Sequence, residues 1–305
     1  MSMRNRRIAI FTDDPGWHGA RLREAFAQHG CDSEFVSLTQ CGFDLQGEGH
    51  GLLIPGFETL PDGVFVRGVP GGTLEQVVLY LDILHALKHL GVCVYNDGRA
   101  IERSVDKGMT SFLLHSAGVP TPPTWVLGEG DDLSATLKRE FEAGHELVLK
   151  PLFGSQGNGL VRLNGEASLP DLSLYNGICY LQRFISTGAE AAHDWRVFVI
   201  HGRAVAAMLR QGEGWISNVA QGARCLPAVL DQELRTLAES AADALGMSYA
   251  GVDILRDGKG QPYVLEINSI PAWKGLQQVC PLDISRLLVE DFLSCCQRKP
   301  LTEVV

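Results

Sequence analysis

The 305-residue sequence has no CxxC pair and no cysteine–histidine spacing that would form a zinc site. Its eight cysteines, at 31, 41, 93, 179, 225, 280, 295 and 296, are therefore expected to stay reduced, some of them buried. No apolar run reaches membrane-spanning length. Arg4, Arg6 and Arg7 precede only the short run Ile8 to Phe11, which Asp13, Asp14, Pro15 and Gly16 end before a signal-peptide core could form. The expectation is a cytoplasmic protein. Positive charge is also scarce: 26 Lys and Arg against 36 Asp and Glu give a net charge of −10. This argues against nucleic acid or an anionic membrane as the main partner, because both need a basic footprint. Any anionic ligand must then be met by local Arg and Lys. Two glycine signatures are missing as well. GxGxxG does not follow the first apolar segment, where the chain reads from Asp13 to Gly19, which weakens a dinucleotide oxidoreductase. GxxxxGK[ST] opening a helix is absent, which excludes a Walker loop.

What is present is a 45% hydrophobic chain long enough for two or three domains. The first ninety-odd residues alternate strand and helix signals: strand Ile8 to Thr12, helix Gly19 to His29, strand Ser33 to Leu38, strand Val64 to Arg67, helix Leu74 to Leu90, strand Val92 to Tyr95. Such alternation suggests a parallel sheet. Within the second helix Leu74, Val77, Val78, Leu81 and Leu84 form a stripe expected to face the core. A single helix is expected from Glu102 to Ala117, closed by Gly118 and by Pro120, Pro122 and Pro123. Asp231 should cap a helix reaching Leu245, with Gly246 after it, and a final helix from Ile284 to Gln297 should close the domain.

The strongest chemical signal is Gly251 to Leu255 followed, after a glycine-rich turn, by Tyr263 to Asn268. With Asp253 opposite Glu266 the turn centres on Lys259 and Gly260, so register and turn agree. Asp253, Glu266 and Asn268 then share one face, while Val252, Ile254, Leu265 and Ile267 share the other. Facing carboxylates repel unless a cation sits between them. Two carboxylates and an amide are hard oxygen ligands of the kind Mg²⁺ takes, and a solvated acidic hairpin is the alternative.

Lys150 ends an apolar strand and is followed by glycines at 154, 157 and 159, with Ser155 between them. A strand, a glycine loop and a returning strand make a flap whose backbone N–H groups can close on phosphate oxygens; a plain turn is the other reading. Arg196, after Asp194, and Arg210 would lie near each other across a hairpin, suited to a carboxylate or phosphate, unless Asp194 simply forms a surface ion pair. Asp13, Asp14 and His18 after the first strand are candidates for a general base or ordinary turn residues.

These blocks, with Val105 to Lys107, Leu149 to Gly159, Leu181 and Gln182, Asp194 to Arg196, Ala250 to Leu255, and Leu265 to Asn268 with Pro271, resemble the ATP-grasp superfamily, specifically its RimK-type amino-acid (α-L-glutamate) ligase branch. Arg67 on a strand end also matches that branch. The resemblance implies a fold of α/β and α+β class: a Rossmann-like pre-ATP-grasp domain over 1–97, then a two-subdomain ATP-grasp unit over 98–305, divided into about 121–183 with the flap and 184–305 with the metal ligands. It implies that Lys107 and Lys150 contact phosphates and adenine, with Gly154, Ser155, Gly157 and Gly159 of the flap beside the nucleotide. Gln182, Phe184 and Ile185 match the hinge beside adenine, and Asp194 a nucleotide-contacting acid. Asp253, Glu266 and Asn268 match the metal ligands, and Arg210 the arginine that steadies an acyl phosphate, so that Arg210 and Lys150 are the catalytic pair.

Departures fall on the substrate side. Arg183 stands where the branch has an acid, and the segment from Ser217 and Asn218 to Gly222 lacks a His-Arg pair. Ala272 replaces the glycine after Pro271 and is followed by Trp273, Lys274 and Gly275. Altered substrate choice is expected, with Arg196, Ser217, Asn218 and Lys274 as candidate contacts. The implied activity is ATP- and Mg²⁺-dependent carboxylate–amine ligation through an acyl phosphate, with Mn²⁺ as a substitute ion and two ions expected. Glutamate is the favoured amine donor. Acceptors in the branch include a ribosomal protein tail, pterin-type cofactors such as tetrahydromethanopterin and a carrier protein in lysine synthesis. The alternative is a non-catalytic ATP-binding regulatory or scaffold protein, and homo-oligomer formation stays open.

Overall fold

Every buried backbone group needs a partner, and in this chain the helices and three main sheets supply them. The computed structural model describes residues 5–47, 49–154, 157–165, 169–188 and 192–297. The first part runs β1 (Arg6–Phe11), α1 (Gly16–Gln28), β2 (Cys31–Val36), a pair of two-residue antiparallel strands, β3 (Gly42–Phe43) and β4 (Leu52–Leu53), then β5 (Gly63–Val66), α2 (Leu74–His89) and β6 (Val94–Tyr95). Its four-stranded sheet has the order β2-β1-β5-β6 with every pair parallel, as the strand–helix alternation predicted. The chain winds one way from β1 to β2 and the other way from β5 to β6. The order therefore reverses between β1 and β5.

Two helices follow, α3 (Gly98–Val105) and α4 (Lys107–Ser116), where a single helix was expected. Asp106 is the reason: its backbone is extended, and its carboxylate accepts the Met109 N–H at 3.0 Å, so it caps a new helix rather than continuing the old one. The next sheet is built from β7 (Thr124–Gly128), with α5 (Asp131–Glu142) leading to β8 (Leu147–Lys150), β9 (Val161–Leu163) and β10 (Ile178–Arg183), in the antiparallel order β7-β10-β8-β9. The largest sheet contains β11 (His193–Ile200), β12 (Arg203–Gln211), β13 (Arg224–Pro227), β14 (Tyr249–Arg256) and β15 (Pro262–Asn268), in the antiparallel order β13-β12-β11-β14-β15. Between β13 and β14 lies α6 (Gln232–Leu245), capped by Asp231 and ended by Gly246 at φ 72°, as the sequence predicted. Its Leu234, Ala238, Ala241, Ala242 and Leu245 are fully buried against Val197, Val252 and Ile254 of the sheet. The chain ends in α7 (Lys274–Val279) and α8 (Ile284–Gln297).

Three expectations are corrected here. The buried face of α2 is Tyr80, Ile83, Leu84 and Leu87, while Leu74 and Val78 are 76% and 44% exposed. That helix is apolar on several sides, so more than one stripe fits a helical period, and packing against the sheet selects among them. The final helix does not close the large sheet alone. Phe292 packs edge-on against Phe26 of α1 and contacts Phe65 of β5 in a core cluster that also holds Phe198 and Met208. The hairpin of β14 and β15 pairs Asp253 with Glu266 as expected, but a bulge follows, and Ile254 pairs with Val264. Leu265 is the extra residue. Val264 therefore enters the core, and Leu265, expected there, turns to the same cleft as Glu266.

One buried side chain joins the parallel sheet to the large one. Asn96, fully buried, donates to the carbonyls of Tyr249 and Ser269, both at 2.7 Å, and accepts the N–H groups of Ser248 at 2.7 Å and Tyr249 at 3.3 Å. All its hydrogen-bonding capacity is spent on fixing the strand ends that carry the candidate metal ligands.

Candidate active site

The flap sheet and the large sheet face each other across a cleft of about 540 Å³. One wall carries Val148, Lys150 and Gln182; the other carries Asp194, Arg210, Asp253, Leu255, Leu265 and Glu266. The segment Phe184 to Thr187 joins the walls, and Trp215 to Asn218 border the opening.

Strand alternation aims Lys150 inward at the end of β8. Its Nζ donates to Gln182 Oε1 at 2.6 Å and lies 5.7 Å from the Tyr180 ring centre. Burial lowers its pKa to about 8, with Lys107 pushing the same way and Glu266 and Asp253 opposing. Gln182 spends its Nε2 on Thr124 Oγ1 and Tyr180 OH, both at 3.2 Å. It is therefore a positioning group for Lys150, with its side chain taken up. Lys107, in the first turn of α4, donates to the carbonyls of Gly154 at 2.8 Å and Leu152 at 3.4 Å and so anchors the start of the flap; burial lowers its pKa too.

The flap needs its glycines. Gly157 and Gly159 have φ of 73° and 71°, and a Cβ on Gly159 would come 2.9 Å from Pro151 Cγ. A Cβ on Gly157 would meet Asn218 Nδ2 and Ile216 Cγ2 at 3.4 Å, so the flap tip leans on the Ile216–Asn218 segment. Ser155 lies outside the described residues. At the joining segment, the Phe184 ring is covered by the Arg162 guanidinium at 3.9 Å and met edge-on by Trp215 at 6.2 Å. The Phe184 N–H is committed to Glu146 O at 2.8 Å. Ile185 borders the cleft beside it. Arg183, which stands in place of an acid, turns to Glu140, with Nε and Nη2 both donating to its Oε2 at 3.1 and 2.7 Å.

On the opposite wall a row of charges crosses three strands, with Arg196 opposite Asp253 and Asp253 opposite Glu266. Arg196 holds both Asp253 oxygens at 2.7 Å, and Arg210 reaches Asp253 Oδ2 at 2.8 Å. Arg210 also grips Asp194 bidentately at 2.7 and 2.6 Å, and Ser217 Oγ donates to Asp194 at 2.6 Å. Asp194, Arg210 and Asp253 are all buried. Burial would raise the Asp253 pKa, but Arg196 and Arg210 outweigh it and hold the carboxyl below the usual range. For Asp194 burial wins, and its pKa is raised despite Arg210. The Arg210 guanidinium is held charged by the two carboxylates against the cost of burial. The alternative of a surface pair at Asp194 thus gives way to a network of Asp194, Arg210, Asp253 and the partly buried Arg196. Arg196 and Arg210 do converge, but through a shared acid rather than by facing each other.

The Asn268 side-chain amide lies 3.0 Å from Glu266 Oε1 and 3.3 Å from Arg196 Nη2, and the amide orientation that satisfies both, N toward Glu266 and O toward Arg196, ties the third candidate ligand to the row. The donor chemistry fits a hard divalent cation. Glu266 faces the cleft and forms no ion pair among the described residues, and Asp253 has about one of its four lone-pair directions still unspent. Lys274 is not in this cleft; it borders a second cavity, with Asp13, Asp14, His18 and Arg67. Of the groups considered as a general base, His18 has its Nε2 occupied by the N–H groups of Trp273 at 3.1 Å and Lys274 at 3.3 Å. Among the cleft residues that escaped the sequence reading are Arg162 and Trp215. Arg162 alternates with core positions on the returning flap strand, which is the signal that could have revealed it.

A facing pair of sheets with a glycine flap on one and a carboxylate row on the other agrees with the comparisons. The model of the RimK-like ATP-grasp domain matches residues 104–292. The chain belongs to this family. It is 33% identical over 236 residues to tetrahydromethanopterin:alpha-L-glutamate ligase of Methanococcus maripaludis, covering 75% of this chain and 78% of that protein. It is 30% identical over 291 residues to a protein named probable alpha-L-glutamate ligase from Teredinibacter turnerae, covering 93% and 94%. In fold it is similar to the ATP-grasp ligase PsnB, solved with a minimal precursor, Mg and ADP, at a TM-score of 0.73 and 20% identity over 95% of this chain and 98% of that one. As a RimK-like ATP-grasp protein, the chain is an ATP-dependent ligase that forms amide bonds between a carboxylate and an amine. No helix among the described residues is long and apolar enough to cross a membrane.

Proposed function

We propose that this ligase adds glutamate, through its amine, to a carboxylate on a small molecule of the pterin-cofactor type. The single observation that supports this most is the cleft itself, where Lys150 on one sheet faces Glu266 and the Asp253–Arg196–Arg210 cluster on the other. The choice of substrates draws on the relatives: proteins 33% and 36% identical to this chain are named for joining tetrahydromethanopterin and glutamate.

A carboxylate does not condense with an amine in water, because its oxygen is too poor a leaving group. ATP solves this by phosphorylating the carboxylate; the amine then attacks the acyl carbon and phosphate departs. In this reading adenine lies against Phe184 and Ile185, with the phosphates beneath Gly154, Gly157 and Gly159 and beside Lys150. Glu266, Asn268 and Asp253 would hold Mg²⁺, which Mn²⁺ could replace and of which two ions are expected, and the bound metal would neutralise phosphate charge. Arg210, fixed by Asp194 and Asp253, and Arg196 beside it present cationic N–H groups toward the acyl phosphate. Lys107 serves as the flap anchor. The protein's contribution is positioning and electrostatic stabilisation, which needs no covalent nucleophile.

The test is phosphate release from ATP with L-glutamate, a pterin-type carboxylate, or both. Release only with both supports the proposal. Nucleotide binding without release under any pairing would favour a non-catalytic nucleotide-binding role.

A further inference from the structure

Metal-ligating side chains also gather outside the cleft, where α8 meets the turn of the β11–β12 hairpin. Ligand atoms of His201, Asp291 and Cys295 all lie within 4.8 Å of one another there. Two different elements deliver them. Asp291 and Cys295 stand four residues apart on α8, one turn along the same face of the helix. His201 and Gly202 form a two-residue turn between Ile200 and Arg203, with φ of 51° and 66°. Such a turn favours Asn, Asp or Gly at its first position, and a histidine there is uncommon. The turn is fixed in place by the His201 N–H, which donates to the Ser248 carbonyl at 2.8 Å.

The spacing distinguishes a metal site from a plain ion pair. A charge-assisted N–H···O bond is about 2.7–2.9 Å long. His201 Nδ1 stands 3.5 Å from Asp291 Oδ1, too far for such a bond. That separation is instead the edge of a tetrahedron around zinc, where bonds of about 2.0–2.3 Å place neighbouring ligand atoms roughly 3.3–3.8 Å apart. The Cys295 thiol, within 4.8 Å of both, is one side-chain rotation from the same spacing. The Asp291 side chain is only 10% exposed, and its other oxygen is already oriented: Tyr95 OH donates to Asp291 Oδ2 at 2.7 Å. Hydrogen bonds of this kind, made behind a ligand, hold metal-binding carboxylates in position. Tyr95 is itself buried and stacked on Tyr249, with ring centres 5.0 Å apart. Donor chemistry then selects the ion. Asp253, Glu266 and Asn268 in the cleft offer oxygen alone and suit a hard cation, whereas imidazole, thiolate and carboxylate together suit borderline Zn²⁺. The His201 side chain is 52% exposed, which leaves the fourth position to water.

We propose that His201, Asp291 and Cys295 form a Zn²⁺ site, separate from the cleft, that staples α8 to the β11–β12 turn. The thiol gives up its proton to solvent as its sulfur binds the ion. Because the three ligands come together only in the folded chain, zinc binding adds to the stability of that contact. The Tyr95–Asp291 hydrogen bond extends the link to the neighbouring Asn96, whose side chain fixes the strand ends beside the cleft. The site does not depend on which substrates the ligase joins.

The test is titration of the full chain with Zn²⁺ against a chromophoric chelator, in excess Mg²⁺ and a non-hydrolysable ATP analogue so that the cleft is occupied. One Zn²⁺ per chain is expected. Cys295→Ser and His201→Asn should each weaken it roughly 100-fold, and Tyr95→Phe, which removes only the orienting hydroxyl, roughly 10-fold. Asparagine is a residue that the turn favours, so His201→Asn remains informative if a helix variant fails to fold. Co²⁺ gives a second readout: the parent protein should show a thiolate-to-cobalt charge-transfer band that Cys295→Ser lacks. Zn²⁺ should also raise the melting temperature of the parent protein and leave that of Cys295→Ser and His201→Asn unmoved. No Zn²⁺ binding by the parent protein, or unchanged affinity in both Cys295→Ser and His201→Asn, overturns the assignment. So does binding that is lost only in Cys93→Ser, which would move the ion to the adjoining Cys93–Cys296 thiol pair.

Discussion

Glu266→Gln abolishes phosphate release, by about 10³-fold or more, while thermal unfolding stays within a few degrees of the parent protein. Glu266 faces the cleft, forms no ion pair among the described residues, and accepts from the Asn268 amide at 3.0 Å. A glutamine has the same shape, and its carbonyl oxygen can still accept that bond, so the fold loses little. What disappears is the one negative charge on this wall that no arginine neutralises. Phosphate release and a melting curve on the same preparation check both halves. Near-parental turnover in Glu266→Gln refutes Glu266 as a metal ligand.

Asp253→Asn has a different signature: turnover falls as far, and the protein is also destabilised by about 3–5 kcal/mol. Asp253 is the shared counter-charge of Arg196 and Arg210, with contacts of 2.7, 2.7 and 2.8 Å in a buried setting. An amide cannot accept all three donors, and one of its own groups would be a donor facing guanidinium N–H. Arg210 would keep Asp194, but Arg196 would be left in the low-dielectric wall with only the Asn268 oxygen at 3.3 Å. Because the two arginines hold the Asp253 pKa below its unfolded value, its stabilisation is complete at neutral pH. It is lost as pH falls through the folded-state pKa. Denaturant titration of the two variants side by side separates the roles. Equal stability of Asp253→Asn and Glu266→Gln would show that the arginine clamp does not hold the wall together.

The β14–β15 hairpin was legible because two local signals, the alternation of side chains and the position of the Asp257–Gly260 turn, agree on one register. Even so, the bulge that turns Leu265 into the cleft leaves no mark in a strictly alternating pattern. The parallel sheet and the capped helix α6 were legible for similar reasons of periodicity and capping. The arginine clamp was not. It depends on β11 lying between β12 and β14, so that Asp194 faces Arg210 on one side while Arg196 faces Asp253 on the other. Strand order is a tertiary outcome that no local window contains. The same holds for Arg67 and Lys274, which border one cavity only because the segment after β15 folds over the ends of the parallel strands. Asp106 is the opposite case: its capping signal, an Asp three residues before the Met109 N–H it accepts, stood in the sequence inside the span expected to be one helix.

The central claim is that a divalent cation and the phosphates of ATP meet between the flap sheet and the carboxylate row. Anomalous diffraction from crystals soaked with Mn²⁺ and a non-hydrolysable ATP analogue tests it directly. The account predicts a manganese peak within about 2.5 Å of oxygens from Glu266 and Asn268, with the phosphate tail between it and Lys150. Bound nucleotide with no such peak, and Glu266 directed away from the phosphates, would contradict it.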